Sequence, residues 1–145
     1  MSETPRDNRL KSEERHHMNP GIRLSLQILA ETARRDSSEQ LRRLARDLTD
    51  AVPDIPGKVR ALVDALHRSG ARSVSVIDAD DACLFVAAAA HSLGIPCRFV
   101  AMRFGERSWT VRLRYEVDGR WEEIDCMDQS TVRGPDEEIV GEELR

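Results

Sequence analysis

The sequence predicts an α+β domain in which N-terminal helices and one buried central helix pack with a small antiparallel sheet. Three observations predict it. Apolar residues recur at helical spacing through the first half of the chain, and the segment DDACLFVAAAAHSL is apolar on nearly every face. From Ile95 onward the apolar period changes to two, the period of a half-buried strand.

A chain of 145 residues is the size of one domain and buries a core without disulfides or metals. A third of its residues are charged and its net charge is −4, the balance of a soluble protein. The opening residues 1–18 have no apolar core of the secretory type, and no later apolar run is long enough to span a bilayer. No membrane partner is expected, and a cytoplasmic setting is. The three cysteines, Cys83, Cys97 and Cys126, are odd in number and unpatterned, which predicts free thiols, no metal and no cofactor. Basic and acidic residues mix, without a basic stripe carrying aromatics, so no nucleic-acid partner is expected.

Residues 1–18 carry almost nothing apolar and read as a mobile tail, with His16 and His17 as solvated side chains. Asn19-Pro20 offers a cap followed by proline at the first helical position, and Ile22, Leu26, Leu29 and Ala33 mark the buried stripe of a first helix. Ser37 with Gln40 reads as a capping box for a second helix, buried through Leu41, Leu44, Ala45 and Leu48 beneath an arginine-rich solvated face. VPDIPG is a turn by composition, and Val59, Leu62, Val63 and Leu66 make a third helix ending at Ser69-Gly70. Residues 73–77 read as a short strand feeding the buried fourth helix, which ends before Gly94. His91 near its C-terminus reads as structural.

Three strands then follow as a meander, PCRFVAMRF, SWTVRLRYEV and RWEEID, divided at Gly105 and at Asp118-Gly119. The ending GPDEEIVGEELR reads as an acidic tail, solvated or briefly docked. The expected organisation is a tail over 1–18, one domain over 19–134 and an acidic tail over 135–145. Within the domain, 19–70 is a helical layer and 73–128 the core.

The segment IDADDACLFVAAAAHSLGIPCRFVA resembles the transglutaminase-like pattern, in which Gly-Asp-Cys-Asp-Asp opens a buried helix that ends in Leu-Gly-Ile-Pro-x-Arg. In that family a histidine begins the next strand about eleven residues before a Gly-x-Trp motif, and an aspartate follows the tryptophan by about four. Gly119-Arg120-Trp121 and Asp125 fit this spacing. The resemblance puts Ala79 at the position of the nucleophilic cysteine, Thr110 at that of the histidine and Asp125 at that of the orienting acid. Ile77 replaces the family's glycine. An alanine methyl attacks no carbonyl, and a threonine takes no proton near neutral pH, so the triad chemistry is lost. The resemblance therefore implies a pseudoenzyme, a binding or scaffolding module for another protein in a bacterial or phage assembly, cytoplasmic or virion-associated.

Asp78, Asp80 and Asp81 are expected to cap the buried helix and, with Trp109 and Trp121, to flank the old cleft as a ligand-binding site. Cys83, one turn inside the helix, reads as a small core hydrophobe, as do Cys97 and Cys126. Two alternatives stand beside this reading. One is an engineered inactive form of a transglutaminase-like cysteine enzyme performing acyl transfer or proteolysis. The other is a magnesium-dependent phosphotransferase using Asp78 and Asp80, since a strand followed by paired carboxylates is how such enzymes hold the ion.

Overall fold

The computed structural model describes residues 20–69, 79–106, 108–127 and 134–145. The expected N-terminal tail, the strand over 73–77, Asp78 and the cap residue Gly70 lie outside the described residues. Helix α1 is Pro20–Asp36, α2 Glu39–Thr49, α3 Ile55–Ser69 and α4 Ala79–Ser92. Strands β1 Cys97–Phe104, β2 Ser108–Val117, β3 Arg120–Ile124 and β4 Glu137–Val140 form one sheet in the order β3-β2-β1-β4, antiparallel throughout. The predicted α+β class is what the chain adopts.

The first helix buries Leu26, Ala30 and Ala33, with Ile22 and Leu29 packed beside them, as its period requires. The cap of α2 differs by one residue from the expected capping box. Ser38 is the N-cap, extended at φ −105 and ψ 167, and its Oγ accepts from the Leu41 amide at 3.1 Å. Ser37 is occupied elsewhere, with its Oγ 2.8 Å from the Ala33 carbonyl and 2.9 Å from His91 Nδ1.

The expected turn VPDIPG is only half a turn, because α3 begins at Ile55. Proline is tolerated in a first helical turn, where its missing N–H has no intrahelical partner to lose. The Asp54 carboxylate caps the start by accepting from the Gly57 amide at 2.9 Å. A Cβ at Gly57 would lie 2.5 Å from Val52 Cγ1, so this close entry needs glycine.

Helix α4 is the centre of the core. Ala82, Cys83, Val86, Ala87, Ala88, Ala89 and Ala90 are buried, and the three other helices and the sheet all pack around it. Its small side chains let those neighbours approach closely. It ends in a Schellman arrangement: the Ile95 amide donates to the Ala90 carbonyl and the Gly94 amide to that of His91, each at 3.0 Å, with Gly94 at φ 80.

In the sheet, Cys97, Phe99 and Ala101 of β1 and Val111, Leu113, Tyr115 and Val117 of β2 face the helices. The two-residue hairpin Asp118-Gly119 has positive φ at both positions, 52 and 76, as a twist-matched I′ turn demands.

The acidic ending is not a tail. It adds β4 beside β1, pairing Val100 with Val140 and Ala101 with Ile139, and continues to a bridge between Cys97 and Leu144. Ile139 and Leu144 are buried, and the acids beside them, Glu137, Glu138 and Glu142, pair with arginines of the sheet and of α1. Two apolar anchors suffice here because their neighbours' charges are neutralised on docking.

Candidate functional site

The buried helix opens at Ala79, and Asp80 and Asp81 lie in its exposed first turn, where the positive end of the helix favours carboxylates. Beside that end is a cavity of about 140 Å3 lined by Ile22, Ser25 and Leu26 of α1, Asp80 of α4, and Ala101, Trp109, Thr110 and Val111 of the sheet. Ser25 Oγ donates to the Gly21 carbonyl at 2.9 Å, so its hydroxyl proton is engaged within the helix. No cysteine and no histidine is among these lining residues.

Three of the residues singled out in the sequence, Asp80, Trp109 and Thr110, thus share one cavity. The others are placed differently. Strand alternation puts Trp109 on the helix-covered face and Trp121 on the other, since Trp121 pairs with Glu116. Trp121 instead lies under the guanidinium of Arg98, 4.3 Å from the ring centroid. The two tryptophans do not flank one site, which corrects that expectation.

Thr110 pairs with Met102, and by the same alternation its side chain belongs to the outer face with Arg112. Asp125, one residue beyond β3, has its Oδ2 3.9 Å from Arg112 Nη2, and its Oδ1 accepts from the Met127 amide at 3.0 Å. Asp78 lies outside the described residues.

Cys83 is buried against the sheet, its Sγ donating to the Val111 carbonyl at 3.4 Å. Its thiol is pushed well above the ordinary range, first by a hydrogen bond with the Cys126 thiol, then by burial and by the charges of Asp125 and Asp80. Burial, with Cys126 nearby, also pushes Cys97 up to about 12. A nucleophilic cysteine needs its thiolate favoured, and these environments do the reverse. Cys126 is held by its backbone, whose carbonyl accepts from His67 Nε2 at 2.7 Å. His91 is a clamp between Ser37 and the C-terminus, with Nε2 3.3 Å from the Arg145 carbonyl.

Sequence reasoning did not find the α1 wall of the cavity. Ile22 and Leu26 read as core positions, and nothing local to Ser25 marks it as facing Trp109. A second concavity, an open and mainly apolar groove of about 460 Å3, runs between α2, α3 and α4 past Leu44, Leu48, Ala65, Arg68 and Phe85.

Among the described residues no group of histidine, cysteine and acidic side chains has the geometry to hold a metal ion, and no helix is long and apolar enough to cross a membrane. Compared with known proteins, the chain matches no family model, no curated protein and no solved structure.

Proposed function

We propose that this chain is a non-catalytic binding module, a degenerate relative of the transglutaminase-like enzymes that holds a partner protein through the cleft at the start of α4. The observation that carries the reading is the cavity that Asp80 and Trp109 share, which offers a carboxylate, an indole and apolar walls but no thiol or imidazole. A helix-first order leading to a buried helix and an antiparallel sheet supports the kinship. Asp125, engaged with Arg112, is left out of the proposed site. A cavity this small takes one side chain of a partner and not a folded element.

The test is affinity capture with the full chain beside Asp80→Arg and Trp109→Ala variants of native helical content. Partners retained by the parent chain and lost by both variants support the cleft. Capture that ignores both substitutions refutes it. Amine incorporation into a glutamine-donor peptide that disappears in Cys83→Ala would refute the non-catalytic reading.

A further inference from the structure

Residues 136–145 meet the rest of the chain as a peptide ligand meets a sheet edge. The backbone supplies a ladder: the Asp136 amide donates to the Arg103 carbonyl at 2.7 Å, Gly141 to Phe99 at 2.8 Å, and Leu144 and Cys97 exchange bonds at 2.7 and 3.0 Å. Two apolar side chains, Ile139 at 4 % exposure and Leu144 at 0 %, fill pockets beneath. Between them a Cβ at Gly141 would lie 3.0 Å from the Phe99 carbonyl oxygen, a tight passage of the segment over β1.

Four arginines around the edge each meet a glutamate of this segment. Arg114 meets Glu138 at 2.8 Å, Arg34 meets Glu142 at 3.1 Å, Arg103 meets Glu137 at 3.7 Å and Arg98 meets Glu143 at 3.8 Å. A backbone ladder for affinity, spaced apolar pockets and charge matching for specificity are the components of strand-addition recognition.

We propose that the β1 edge is a recognition groove for an acidic, extended segment, filled within one chain by residues 136–145 and open to the same segment of a second copy once its own is released. The occupant follows from the contacts. The one sequence shown to satisfy the ladder, both pockets, the tight passage at Gly141 and the four arginines is this segment, and a second copy carries it unchanged. Tethering gives the resident segment an effective concentration on the order of millimolar, so it outcompetes a free copy until its docking is weakened.

A fluorescein-labelled synthetic peptide of residues 134–145, titrated against the full chain and followed by anisotropy, tests this. Full-chain Ile139→Ala/Leu144→Ala, weakened in its own docking, is expected to bind the peptide at least on the order of tenfold more tightly than the parent chain. Adding Arg103→Glu is expected to remove most of that gain. If the apolar variant loses its helical circular dichroism, full-chain Glu137→Lys/Glu138→Lys decides, because it reverses two ion pairs and keeps both apolar anchors. A natively helical variant that takes the peptide no better than the parent overturns the proposal. Equal binding of a scrambled peptide, or indifference to Arg103→Glu, also overturns it. None of these substitutions touches the lining of the α4 cleft, so failure here leaves the cleft reading intact.

Discussion

Replacing Leu144 with alanine removes three carbons from a side chain with 0 % exposure, in a segment whose composition suggests a solvated tail. At about 0.8 kcal/mol per buried methylene, the transfer contribution alone is about 2.4 kcal/mol. The space left beside Cys97 adds to this, and buried leucine truncations span about 2 to 5 kcal/mol. We expect a loss of about 3 kcal/mol, a large share of the roughly 5–15 kcal/mol that holds a domain together. At about 3 °C per kcal/mol for a domain of this size, the midpoint falls by about 9 °C. Urea unfolding followed by circular dichroism at the helical band measures it, with Leu24→Ala, at 57 % exposure, as the control expected to shift by less than about 0.5 kcal/mol. A Leu144→Ala protein as stable as that control would mean that the C-terminal segment is not docked. The fourth strand would then fall with it.

Alkaline pH should weaken the fold through Cys97. Its thiol is raised from an ordinary 9.0 to about 12, so the folded state holds a proton that the unfolded chain releases. The resulting stability is fully present below about pH 9 and is lost as pH rises toward 12, a slope that Cys97→Ala should flatten in urea titrations between those values. Magnesium should leave the thermal midpoint unchanged, because Asp80 and Asp81 serve as first-turn carboxylates of α4. A concentration-dependent rise would point instead to ion binding at that helix end.

Local chemistry was readable where it decides structure locally. The stripe of Ile22, Leu26, Leu29 and Ala33, the apolar faces of α4 and the Asp118-Gly119 turn each act through a few neighbouring residues, and each element formed where its pattern put it. The misjudged pieces depend on partners distant in sequence. Ser38 caps α2 because Ser37 is drawn to His91, more than fifty residues away. Glu137 and Glu138 enter a strand because Arg103 and Arg114 neutralise them, which nothing within the acidic segment announces.

The site was partly readable in a way the motif obscured. Once the turn is placed at residues 118 and 119, Trp121 must stand opposite Glu116, and alternation then separates it from Trp109. The same parity assigns Thr110 to the face of Arg112. The motif grouped the two tryptophans, whereas the pleat of the sheet turns them to opposite faces. The cavity wall from α1 was not readable, because it depends on how that helix lies across the sheet.

The sheet face that carries Arg98, Arg112 and Arg114 also bears on how copies of this protein meet in crowded solution. On it Glu123 lies 3.0 Å from Arg112 and 3.3 Å from Arg114, while Glu138 holds Arg114 from the other side. Two such faces pressed together would have to strip water from every one of these ions, at several kcal/mol for each left imperfectly matched. Flat sheets laminate when their faces are dry and alike. This one is tiled with fixed charges of both signs, so the ion pairs that link its strands also keep its face from stacking on that of another copy.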